Sequence, residues 1–184
     1  VVRLLIEHGE SAAAQGWFGW TPLHLASKFG HVDVARLLIE HSAYAAAQNE
    51  YGTTPLHEAS KGGHVDVARL LIEHSADAAA QNMYGATPLH EASKSGHVDV
   101  ARLLIEHSAD VAAQNKYGVT PLHEASKRGH VGVARLLIEH SANAAAQRND
   151  GKTPLHFASE MRRVNVARLL IKHGADAATP IPQI

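Results

Sequence analysis

Cysteine is absent from this 184-residue chain. That excludes disulfides and thiolate metal sites, and it fits an intracellular chain, cytoplasmic or nuclear. Long apolar runs are missing too, so no transmembrane helix is expected, and no secretory leader is read at the start. Charge of one sign is also missing. The net charge is −1 with histidine neutral, so no sequence-independent attraction to nucleic acid follows. Aromatic residues make up only 5% of the chain, so the places they occupy carry information. The short motifs of catalysis and nucleotide binding are lacking: there is no Gly-x-Ser-x-Gly and no phosphate-cradling glycine loop. His57-Glu58 meets its next histidine only at His64, not at the i+4 spacing of a helical zinc pair.

What is present is a period. Thr-Pro-Leu-His begins at Thr21, Thr54, Thr87, Thr120 and Thr153, 33 residues apart each time. A fixed period of this length means a stack of small similar units, each burying its face on the next. Stacks of this kind offer surface, which moves the functional expectation away from catalysis.

One unit can be read from residue 54 to 86. Thr54 suits a helix N-cap, and Pro55 suits the first helical position, where a missing N–H costs nothing. Leu56 and Ala59 give a short helix a narrow apolar face, and Gly62-Gly63 end it. A second helix is predicted from about Val65 to His74, with Asp66 near its positive end and Val67, Leu70 and Leu71 toward the core. A Tyr84-Gly85 turn closes the unit. Neither helix reaches the roughly 12–15 residues that make an isolated helix even marginal in water, so packing between units must supply the stability.

Thr-Pro-Leu-His, then Gly-His, then Val-Ala-Arg-Leu-Leu, then Ala-Asp resembles the ankyrin repeat, and the resemblance covers practically the whole chain. It implies an all-α solenoid of stacked helix-turn-helix units with protruding β-turns, whose turns and first helices form a concave binding face. On that resemblance, residues 1–184 form one repeat domain. Residues 1–20 are a partial repeat, 21–53, 54–86, 87–119 and 120–152 are full repeats, and 153–184 are a C-terminal capping repeat. The near-identity of the units suits a fragment of a longer array or a consensus-like scaffold. Residues 1–20 align with 34–53, so the start is expected to expose apolar surface, while Thr179-Pro180-Ile181-Pro182 should stop any further helix. The family's usual glycine after the second helix is replaced by Ser42, Ser75, Ser108 and Ser141. If that position is left-handed, serine costs about 1 kcal/mol there.

Differences between the units point to a surface. Repeats 54–86 and 87–119 differ at only four places: Gly62/Ser95, Ala78/Val111, Met83/Lys116 and Ala86/Val119. Three of these fall in the turn or at the end of the first helix. Seven of the nine aromatics occupy the same variable places: Trp17, Phe18, Trp20, Phe29, Tyr51, Tyr84 and Tyr117. Trp, Tyr and Arg are enriched at binding hot spots. The expected partner-binding residues are these seven with Glu50, Met83, Lys116 and Arg128, the last four setting selectivity. The competing expectation is that the rings only cover the turns.

Fifteen histidines sort into three columns, one in Thr-Pro-Leu-His, one after glycine and one ending the second helices. A structural role is expected for them, and by family resemblance the first column hydrogen-bonds between turns. The third column is expected to make stability pH-dependent through the helix C-terminus. Glu58, Glu91 and Glu124 with Lys61, Lys94 and Lys127 read as a solvated charge ladder. Arg36 with Glu40, and their copies, read as exposed i,i+4 pairs worth about 0.3 kcal/mol each. The expected function is binding a protein partner, with no enzymatic activity, no catalytic residue, no cofactor, no metal, no nucleic acid, no membrane and no small-molecule substrate. The alternative is a structural spacer or accessory regulatory segment of a larger multidomain protein.

Overall fold

The computed structural model describes residues 11–175. Residues 1–10 of the expected partial repeat, with the apolar surface expected at the start, and the Thr179–Pro182 stop lie outside them. Among the described residues a 3-10 turn at Trp17–Gly19 precedes ten α-helices in five pairs. These are α1 (Pro22–Phe29) with α2 (Val32–Glu40), α3 (Pro55–Gly62) with α4 (Val65–Glu73), and α5 (Pro88–Ser95) with α6 (Val98–Glu106). The last two pairs are α7 (Pro121–Arg128) with α8 (Val131–Glu139) and α9 (Pro154–Glu160) with α10 (Val164–Lys172).

Each first helix starts as its sequence demands. Thr21, Thr54, Thr87, Thr120 and Thr153 are extended N-caps, each followed by proline at N1. The threonine backbone N–H donates to Nδ1 of the histidine three residues on, at 3.0–3.2 Å in all five repeats. Histidine thereby takes the place of the Glu or Gln of a capping box, an arrangement worth about 1 kcal/mol per helix. The helix ends where Gly30, Gly63, Gly96 or Gly129 turns left-handed.

The core is one continuous layer. Leu56 and Ala59 of α3 and Val67, Leu70 and Leu71 of α4 are all buried, and the later repeats repeat the pattern, whereas Val34 and Leu37 of α2 are only half-buried. Alanine at 26, 59, 92, 125 and 158 lets successive first helices approach closely. First helices pack on one another more extensively than second helices do. The stack therefore bends toward the side that carries the first helices and the turns.

Some side chains depart from expectation. Ser42, Ser75, Ser108 and Ser141 all have φ near +67° to +69°, so the left-handed condition is met at all four. Among the described residues the Arg36–Glu40 pair and its copies do not close, and the ion pairs are Arg148–Asp150 at 2.8 Å and Lys152–Glu160 at 2.7 Å. Glu58 is not solvated either, at only 7% exposure. Its burial raises the carboxyl pKa above the usual value, while the Lys61 and Lys28 ammoniums pull it partly back.

Candidate protein-interaction surface

The turn tips hang on a backbone ladder that crosses the first four repeat boundaries. The Glu50 N–H donates to the Phe18 carbonyl at 2.9 Å, Met83 to Tyr51 at 2.8 Å, Lys116 to Tyr84 at 2.9 Å and Asn149 to Tyr117 at 3.2 Å. Within a turn, the Asn49 side-chain oxygen accepts from the N–H groups of Tyr51 and Thr53, at 2.9 and 3.0 Å. Asn82 and Asn115 repeat that pattern. These asparagines were missed as turn supports. The signal was there, since asparagine stands two residues before each tyrosine.

Histidine fastens the turn that closes each repeat to the first helix of that same repeat. Nε2 of His24, His57, His90 and His123 donates to the carbonyls of Thr53, Ala86, Val119 and Lys152, at 2.9–3.1 Å. A carbonyl only accepts and a backbone N–H only donates, so the proton sits on Nε2 and the ring is neutral. Burial lowers the pKa of all four rings, bringing His57 and His123 down to about 4. The second column does a parallel task. Nε2 of His64, His97 and His130 donates to the carbonyls of Lys28, Lys61 and Lys94, each at 3.1 Å. In the last repeat Arg163 replaces histidine and donates from Nε to the Lys127 carbonyl at 3.3 Å. Both columns are structural, as expected. The helix-end residues His41, His74, His107, His140 and His173 are exposed C-caps. Among the described residues no group of three or more metal-ligating side chains comes together.

This frame leaves the candidate rings outside. Trp17 is 87% exposed, and Phe18, Phe29, Tyr51, Tyr84 and Tyr117 lie between 41% and 58%. Glu50, Met83, Lys116 and Arg128 are exposed too, whereas Trp20 is half-buried. Phe18 and Tyr51 meet with centroids 6.0 Å apart. Lys28 links two further rings, its ammonium 5.3 Å from the Trp20 centroid and 5.6 Å from that of Phe29. The first two repeats thus carry two ring clusters, and Tyr84 and Tyr117 continue the row along the middle tips.

Two aromatics outside that set behave differently. Phe157 stands where other repeats have Glu58, Glu91 or Glu124, and it is buried. Its ring lies edge-on to His123 and takes Lys127, Arg148 and Lys152 within 6 Å of its centroid. Tyr44, in the loop after α2, is 70% exposed beside a groove of about 470 Å³ lined with alanines and with Gln15 and Gln48. Other repeats have Asp77, Asp110 or Asn143 there, whose side-chain oxygens accept a loop N–H. Tyrosine at that place was the unread signal.

Two family models match the chain. One for ankyrin repeats in three copies matches residues 42–115 and 108–180. One for a single ankyrin repeat matches residues 18–50. No curated protein matches the chain.

Proposed function

Because the chain belongs to the ankyrin-repeat family, a family whose repeats generally serve as protein-interaction modules, we propose that it binds a protein partner across its turn tips and first-helix face. The observation that carries this is the row of exposed rings at Trp17, Phe18, Phe29, Tyr51, Tyr84 and Tyr117, each held by backbone bonds that do not use the ring. Rings on a pre-ordered ladder lose little conformational entropy when a partner covers them, so more of each contact appears as affinity. A contact of ordinary size buries about 800 Å² on each partner, an area several successive tips together can supply. Trp17, Trp20, Phe29, Tyr51, Tyr84 and Tyr117 are the anchors. Glu50, Met83, Lys116 and Arg128 discriminate among partners by charge and shape.

The test is quantitative affinity capture from cell extract with the immobilised chain and with its Tyr51, Tyr84, Tyr117→Ala variant. These rings are half exposed, so both proteins should unfold at similar urea concentrations. A partner recovered by the parent and lost by the variant supports the proposal. Equal recovery moves the site elsewhere, and no partner for either protein favours a spacer.

A further inference from the structure

Charge is spread unevenly along the stack. Residues 1–119 hold eight Lys and Arg against thirteen Asp and Glu, whereas residues 120–184 hold nine against five. Part of that basic excess gathers on the outer face, away from the turn tips. Between α8 and α10 lies a groove of about 470 Å³, lined by Val131, Arg135, Asn165, Arg168, Leu169 and Lys172. Arg135, Asn165, Arg168 and Lys172 are exposed, Val131 is half-buried, and Leu169 is buried below them.

The repeats supply an internal comparison. The position of Asn165 is Asp66 and Asp99 in the earlier grooves and Gly132 in the one just before. The position of Lys172 is Glu73, Glu106 and Glu139. Every earlier groove therefore sets at least one carboxylate beside its arginines, and the last one removes both and adds an ammonium. Among the described residues no carboxylate closes an ion pair with Arg135, Arg168 or Lys172. Three cations thus line one groove with no carboxylate among its lining residues, Glu139 standing one helical turn beyond Arg135.

We propose that the α8–α10 groove is an interaction surface for an acidic, Asp/Glu-rich segment of a partner protein. The two guanidiniums offer planar donor forks that match carboxylates, and Lys172 adds a point charge. Val131 and Leu169 give an apolar floor for a side chain between the acids. The groove is also short. A long polyanion laid along the outer face would next meet Glu139, Glu106 and Asp99, so the surface suits a compact acidic segment better than nucleic acid.

The test is fluorescence anisotropy with a labelled octapeptide of glutamates carrying two leucines. The full chain should bind it at low salt and release it as ionic strength rises, because exposed charges are screened. The double variant Asn165→Asp with Lys172→Glu installs the residues of the α2–α4 and α4–α6 grooves and should bind at least about tenfold more weakly. The reciprocal variant Asp99→Asn with Glu106→Lys should create a second site between α4 and α6. This gain keeps the test valid should the first variant unfold. No binding by the parent, equal binding by the first variant, or tighter binding of a single-stranded oligonucleotide at the same groove would each overturn the proposal.

Discussion

Acid should unfold this protein through the histidines that cap its first helices. His57 and His123 are 1% and 2% exposed, and burial brings both down to about 4. In the unfolded chain the same rings titrate near 6.5. Between those values the unfolded chain binds more protons than the folded one, so stability is full above the unfolded pKa and is lost as pH falls. Going from about pH 7.5 to about pH 5 removes roughly 2 kcal/mol for each ring, from about 1.4 kcal/mol per pKa unit. His24 and His90 shift in the same direction and add to the loss. Glu58 works the other way. Its raised pKa makes the folded state bind the extra proton, so acid relieves a penalty there, but it is one carboxyl against four rings.

The mechanism lies in the geometry. Protonating Nδ1 of His57 would put two donors face to face, the ring N–H and the Thr54 N–H now 3.2 Å away. The capping box would open, and the turn held by the Nε2 bond to Ala86 would loosen with it. Urea unfolding followed by circular dichroism, repeated every half unit between about pH 7.5 and pH 5, reads the effect. The midpoint should fall steadily below about pH 6.5. A His57→Asn variant should start lower but show a shallower slope, because one titrating ring is gone. A midpoint that stays flat or rises on acidification would refute the assignment of neutral, capping rings.

Three substitutions test the backbone and the core. Ser75→Gly should raise stability by about 1 kcal/mol, since serine sits at φ +67° where glycine is free of strain; an unchanged or lower urea midpoint would contradict this. Gly96→Ala should lower stability by about 2 kcal/mol, because φ is +86° and the added Cβ would stand 2.6 Å from Nδ1 of His130, breaking its bond to Lys94; a midpoint equal to the parent's would show that the His130 contact yields freely. Ser93→Ala should stabilise by about 1 kcal/mol, because the hydroxyl is fully buried with no hydrogen-bond partner; a loss measured by thermal melting would point to a partner for that hydroxyl.

Much of the frame was legible because each element needs a particular residue at a particular place. Thr54, Pro55, Gly63 and the Val67–Leu71 pattern announce a cap, a start, a stop and a buried face, and all are found as such. The exposure of the rings was legible from their crowding into variable positions. What escaped was the second task of constant residues. His57 and Ser60 recur in all five repeats and Asn82 in three, yet His57 ties a helix start to the turn 29 residues on, Asn82 props a turn, and Ser60 is a buried hydroxyl without a partner. Constancy along a repeat marks a position as required without saying whether packing or hydrogen bonding requires it. Glu58 escaped for a related reason. Its exposure depends on neighbours 33 residues away on either side, and local pattern does not carry that distance.

The division of labour within the turns explains why this scaffold tolerates change at its tips. Glu50, Met83 and Lys116 occupy one column with unlike side chains, but each contributes the same backbone N–H to the ladder. Tyr51 and Tyr84 give that ladder only their carbonyls, and the turns are shaped by Asn49, Asn82 and their bonded N–H groups. Side chains at the tip are thus detached from the bonds that hold the tip. The last turn breaks the rule in an instructive way. Arg148 replaces asparagine, and Asp150 takes over part of its role by accepting from the Lys152 N–H at 3.1 Å. Asn149 turns its side chain back to the Lys116 carbonyl at 3.1 Å. A column that varies freely in three turns is tied down in the fourth, so substitutions at Glu50 or Met83 should leave the urea midpoint unchanged, whereas those at Asn149 should lower it.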